Sequence, residues 1–170
     1  SYCTKLYISD DSHSHEGIEE IDFMLPTSIT TVESAGECNV SSLKLPDGIK
    51  TIKRQGLAKL FNCESIVFPD GLTEIGYYAC SESNLRSADL PDSVVNLGGG
   101  IFSGCQRLKK VRFPAGIKNI PAQCFSKSGI EDAIIPDTVI EIGKGAYSGC
   151  QYLKNISFSS HLKTIESGTF

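Results

Sequence analysis

The chain has 170 residues, 40% of them hydrophobic and 21% charged, with a formal net charge of −4. That length supports one domain with a sizeable core. The acidic balance speaks against nucleic acid as a partner, because polyanion affinity rests on many Lys and Arg contacts to phosphate. No apolar run approaches the roughly 20 residues of a membrane helix, so no membrane insertion is expected.

Residues 1–25 follow no regular pattern. They read as an irregular N-terminal segment, or as a degenerate first repeat or cap, with "LYI" at Leu6–Ile8 as a worn strand. The sequence opens at Ser1 without a signal-peptide pattern, which reads as a mature form or an excised piece. "DDSHSHEG" at Asp10–Gly17 is the one cluster that combines histidine with acids. His13 and His15 with Asp10, Asp11 or Glu16 have ligating chemistry. A polar, aperiodic stretch near a terminus is more simply a solvated loop, so neither a metal nor a cofactor is expected.

From residue 26 a repeat takes over. Proline recurs at Pro26, Pro46, Pro69, Pro91, Pro114 and Pro136, with Ser159 in the next place, in steps of 20, 23, 22, 23, 22 and 23 residues. Only Pro121 falls outside the series. A turn follows each one, as in "PDGI" and "PDSV". The proline ring presets φ, and Asp bonds the backbone ahead. Apolar residues recur in phase: three after the proline (Ile49, Leu72, Val94), six after (Ile52, Ile75, Leu97) and eleven after (Leu57, Cys80, Phe102, Phe125, Tyr147, Phe170). Before each proline comes "L-x-x-V-x-F", as in Leu108, Val111 and Phe113. The last two alternate with polar neighbours, so a short strand ends at the proline, which cannot continue the ladder.

One unit of this kind cannot bury its own apolar face, but stacked units cover one another. The pattern predicts one domain over 26–170 with a truncated last repeat. Its class is a β-rich α/β solenoid with short parallel strands, 22–23-residue repeats, and short helical turns at segments such as "GGIFSGC" and "KGAYSGC". An uncapped last repeat would expose apolar residues and strand edges, so a longer parent protein or end-to-end self-association is expected.

"LKKVRFPAGIKNIPAQCF" and "LKNISFSSHLKTIESGTF" resemble the repeat of BspA-like (Treponema pallidum-type) leucine-rich repeat proteins, and the likeness runs over about residues 18–170. The first copy departs from it, with Glu37 near the usual Phe position. The resemblance implies a surface-exposed protein of a bacterium or microbial eukaryote that binds other macromolecules, often in adhesion to a host. It brings no catalytic residues.

Cys105 and Cys150 sit in near-identical settings, "SGCQRL" and "SGCQYL", two repeats apart. Two strand spacings put their Cα atoms roughly 9–10 Å apart, beyond the reach of about 4.4–6.8 Å for a disulfide. No C-x-x-C completes a zinc site. They read as small buried thiols bonded weakly to backbone, and Cys63 likewise, in the slot of Leu108. A pairing of Cys3 with Cys38 stays open. "LGGGIFSG" at Leu97–Gly104 lacks the Lys-Ser/Thr ending of a phosphate loop. Asn39 and Asn155 stand in glycosylation sequons, which matter only in a eukaryotic secretory route.

The solvent face of the strands is the candidate binding surface. The outward pairs are Ser42/Lys44, Ser65/Val67, Ser87/Asp89, Lys110/Arg112, Asp132/Ile134 and Asn155/Ser157. From these, Lys44, Val67, Asp89, Lys110, Arg112, Asp132, Ile134 and Asn155 form a candidate partner strip. Register predicts Asp89 beside Arg112 and Lys110 beside Asp132, and inter-repeat ion pairing alone would explain those charges. The chain reads as a non-catalytic binding protein, extracellular or on a cell surface, whose partner is a protein or another host or matrix macromolecule. The alternatives are a cytoplasmic interaction scaffold or effector and an accessory region of a larger enzyme.

Overall fold

The computed structural model describes residues 5–7, 21–22, 30–34 and 40–170, the first two segments by backbone alone. Cys3, Asp10, Asp11, His13, His15, Glu16, Glu37, Cys38 and Asn39, and the boundary at residue 25, lie outside the described residues.

The chain is a solenoid in which a typical repeat contributes two short parallel strands, one more than the periodicity suggested. The strands that end at the prolines are β2 (Ile21–Asp22), β4 (Ser42–Lys44), β6 (Ser65–Val67), β8 (Ser87–Asp89), β10 (Lys110–Arg112), β12 (Asp132–Ile134) and β14 (Asn155–Ser157). They stack as parallel ladders β2-β4-β6, β8-β10 and β12-β14. A second column follows each proline turn. It comprises β1 (Lys5–Tyr7), β3 (Thr31–Ser34), β5 (Thr51–Ile52), β7 (Glu74–Ile75), β9 (Asn96–Leu97), β11 (Asn119–Ile120), β13 (Glu141–Ile142) and β15 (Thr164–Ile165). These run as β1-β3-β5-β7-β9 and β11-β13-β15. The worn strand expected at Leu6–Ile8 is β1, but it pairs with Thr31–Ser34 in this second column.

The third side differs from the helical turns expected there: it is a run of turns, with no helix among the described residues. The cause is a pair of left-handed residues four apart in each full repeat: Gln55 and Lys59, Tyr78 and Glu82, Gly100 and Gly104, Gln123 and Lys127, Gly145 and Gly149. A left-handed residue at that spacing stops a right-handed helix before its second turn. The freed N–H groups bond the next repeat instead: Leu57 to Ala79 O (2.7 Å), Phe102 to Cys124 O (2.9 Å), Phe125 to Ala146 O (2.7 Å).

The core is the set of in-phase apolar columns. Ile49, Ile52, Leu57, Leu72, Ile75, Cys80, Leu108 and Phe113 are all buried. The column eleven after the proline becomes an aromatic stack, Phe102–Phe125–Tyr147–Phe170, with centroids 5.8, 5.1 and 5.9 Å apart. Phe113 meets Phe125 edge-on at 5.7 Å. Burial pushes the Tyr147 phenol upward, with the Cys124 and Cys150 thiols adding to it. The last turn leaves Phe158, Ile165 and Phe170 exposed.

Both columns are interrupted, and the sequence explains where. The proline-side ladder breaks between β6 and β8 and between β10 and β12. Those steps pass through the two 22-residue repeats, Pro69 to Pro91 and Pro114 to Pro136. One residue fewer at the corner before the strand pulls it out of ladder geometry. The second column breaks between β9 and β11. In other repeats an N–H seven after the proline bonds the strand behind it: Gly76 to Ile52 O, Gly98 to Ile75 O, Gly143 to Ile120 O. Pro121 holds that place in its repeat and has no N–H to give.

Candidate binding face

The outward residues stand where alternation puts them. β6, β8 and β12 are each exposed–buried–exposed along their three residues. Lys44 lies in register with Val67, and Arg112 with Asp89. Val67 and Ile134 are 56% and 67% exposed, large apolar side chains on an otherwise polar face.

The charges on this face behave differently from one another. Arg112 is tied into the fold. Its Nε pairs with Asp89, one terminal nitrogen donates to Asp92 Oδ1 at 3.0 Å, and the other donates to Leu90 O at 2.9 Å. Asp92 also accepts the Ala115 N–H at 2.9 Å, and that bond, with Arg112, holds its carboxyl below the usual range. Asp137 does the same two repeats on, accepting Ser160 N–H at 3.0 Å, and its carboxyl is likewise held low. The neighbouring pair Lys110–Asp132, expected from register, does not form. The ladder is broken between their strands, and Asp132 instead accepts from Asn155 Nδ2 at 2.7 Å. Lys110 makes no salt bridge among the described residues.

A second file of charge, not anticipated from the sequence, runs just before the strands: Glu64, Arg86, Lys109, Glu131 and Lys154. Arg86 pairs with Glu64 at 2.8 Å, and Lys109 and Lys154 pair with Glu131 at 2.6 and 3.3 Å. These cations draw both glutamates below their ordinary values. Its signal was available: one position per repeat carries a charge in five successive repeats.

The five described cysteines are free. Cys105 Sγ donates to Cys80 O at 3.0 Å and Cys150 Sγ to Phe125 O at 2.9 Å, each tying its turn to the repeat before. In the short repeats Ser83 and Ser128 take this slot, and Ser83 Oγ donates to Leu57 O at 3.1 Å. Burial raises the Cys105 thiol to about 12, far from thiolate chemistry. Among the described residues no group of three or more His, Cys, Asp or Glu could hold a metal, and no helix is long and apolar enough to cross a membrane.

Ser160, His161 and Asp137 meet on the surface, but not as a nucleophile, base and orienter. One ring nitrogen, Nδ1, faces both Ser160 Oγ (3.2 Å) and Asp137 Oδ1 (3.8 Å). A catalytic triad needs the serine on one ring nitrogen and the carboxylate on the other.

The family model described as BspA type leucine rich repeat region matches residues 73–170 in six copies. The chain belongs to this family. No curated protein matches it at a significant level. Among solved structures, this BspA-type chain is similar to a leucine rich cell surface protein from Faecalibacterium prausnitzii A2-165. That match has 22% identity and TM-score 0.65, and covers 92% of this chain and 48% of the other. A leucine-rich repeat protein from Eubacterium ventriosum superposes with TM-score 0.70 at 20% identity, covering 83% and 45%. The pneumococcal vaccine antigen PcpA superposes with TM-score 0.56 at 16% identity, covering 89% and 63%. The BspA-type chain thus spans about half the length of the first two, and the likeness is one of fold.

Proposed function

We propose that this BspA-type repeat protein is a non-catalytic, surface-associated binding protein that holds a protein or other host or matrix macromolecule against the proline-side strand face. The observation that carries this reading is the pair of exposed apolar residues, Val67 and Ile134, flanking a charged centre on the proline-side strands. Extended repeat surfaces bind by spreading many weak contacts over a large area. The name of the Faecalibacterium protein, a leucine rich cell surface protein, supports the surface placement.

Arg112 clamps three groups of the neighbouring repeat, so its replacement would perturb the fold as well as any interface. Lys110→Glu with Ile134→Asp is the cleaner probe. Capture from matrix extract by the wild type, lost in this double variant at unchanged melting temperature, supports the strip. Equal capture by both refutes it. Five free thiols also suit a reducing compartment, so an intracellular scaffold is the second reading. Protease shaving of intact producing cells separates the two.

A further inference from the structure

The alternation of 22- and 23-residue repeats builds a surface feature away from the strand face. In the long repeats two residues cross the corner between the thiol slot and the next core residue: Phe61 and Asn62, Gln106 and Arg107, Gln151 and Tyr152. In the short repeats only one does, Asn84 or Gly129. The long corners therefore stand as teeth two repeats apart, roughly 9–10 Å, and each short corner leaves a notch about one strand spacing wide.

The first notch is filled by the protein itself. Asn84 Nδ2 bonds Phe61 O across its floor, and Arg107 reaches over it to Glu64 at 3.3 Å. The second has Gly129 as its floor, where even a Cβ would lie 1.9 Å from Gln106 O. It remains a recess of about 520 Å³, lined by Gln106, Arg107, Lys127, Ser128, Gln151 and Tyr152. Lys109 closes its strand side, sitting 5.1 Å from the Tyr152 ring centroid and bonding Glu131.

The chemistry of this recess is specific. Its floor offers no backbone donors: the N–H groups of Lys127, Ser128 and Gly129 are bonded to Ser148, Phe125 and Cys105 carbonyls. An added peptide strand finds no donor on this floor. The side chains that line it are two amides on opposite walls, an aromatic ring, a serine hydroxyl and two cations, of which Arg107 is already paired with Glu64. An amide gives a donor and an acceptor side by side, which matches adjacent hydroxyls. Lys127 makes no salt bridge among the described residues. The gap has the thickness of one ring.

We infer that this notch binds a pyranose bearing a carboxylate. Its hydroxyls lie between Gln106 and Gln151, its ring against Tyr152, and its carboxylate on Lys127. The site is separate from the strand face, so either reading can fail without the other. The test is NMR titration of the full chain with a glucuronate disaccharide and with sialyllactose, against lactose and hexaglutamate. Either acidic sugar should shift the Gln106 and Gln151 side-chain amides, and the arm that does so identifies its source. Lys127→Glu should weaken binding at least tenfold, while Lys59→Glu, the same backbone position beside the filled notch, should leave it within twofold. One residue inserted after Ser128 should abolish it. Equal binding of lactose, tighter binding of hexaglutamate, no binding of either acidic sugar at millimolar concentration, or an equal loss in Lys59→Glu would each overturn the inference.

Discussion

Tyr78 and Gln123 are two repeats apart, yet Tyr78 Oη donates to Gln123 Oε1 at 2.5 Å. The ring reaches so far because the repeat between them has Gly100 at the same position. A Cβ there would lie 2.3 Å from Tyr78 Cε1 and 2.4 Å from Cδ1. Gly100 is also left-handed, with φ +67°. Gly100→Ala therefore carries two costs. Backbone strain amounts to about 1–2 kcal/mol, offset by about 0.4–1 kcal/mol because alanine stiffens the unfolded chain. Displacing the ring loses a hydrogen bond worth about 1 kcal/mol, plus its packing. The net loss is about 2 kcal/mol. Gly145 isolates the first cost: its φ is +64°, but the nearest atom to an added Cβ is 3.7 Å away, so Gly145→Ala should lose only about 0.5–1 kcal/mol. Urea denaturation of both variants, alone and with Tyr78→Ala, measures the difference. In the Tyr78→Ala background the cost of Gly100→Ala should fall to that of Gly145→Ala. Equal costs in the parent chain, or no coupling to Tyr78, would refute the strap.

Phe125 packs against three aromatic neighbours, so Phe125→Ala should cost about 4 kcal/mol in the same assay; less than 2 would mean that the stack relaxes freely. Iodoacetamide at pH 8, mapped by mass spectrometry, should modify Cys150, which is only partly buried, well before Cys63, Cys80, Cys105 or Cys124; early labelling of Cys105 would contradict its buried bond to Cys80 O. Asp137 is held below its ordinary value near 3.8 mainly by the Ser160 N–H. Its contribution is then present above that value and lost as pH falls through the lowered one. Asp137→Asn should be less stable than wild type at neutral pH, with the gap closing in acid; a gap unchanged at pH 2 would refute the bond.

The repeat, its core columns and the outward strand residues were legible because each rests on phase alone. Leu108, Val111 and Phe113 are core because alternation and stacking leave them no other side. The second strand column was not legible. Two residues such as Thr51–Ile52 carry too short a pattern for alternation, and their pairing comes from the stack. The left-handed pairs were hidden for a related reason. At those places Gln55, Lys59, Tyr78, Glu82, Gln123 and Lys127 replace glycine, and bonds to adjacent repeats hold them where local preference would not.

A regular 23-residue stack would be an unbroken ladder with a smooth corner on every side. The same missing residue in the Pro69 and Pro114 repeats breaks the proline-side ladder, separates Lys110 from Asp132 and opens both notches. It also replaces thiol by hydroxyl at Ser83 and Ser128. Cys105 and Cys150 are thus 45 residues apart because one long and one short repeat make up the working unit. Their sulfurs fix the bases of two teeth, and what distinguishes this chain chemically lies on the teeth: amides, a tyrosine and, below them, an ammonium group that makes no salt bridge among the described residues. Filling the second notch would restore the smooth corner, so whatever binding depends on it should vanish.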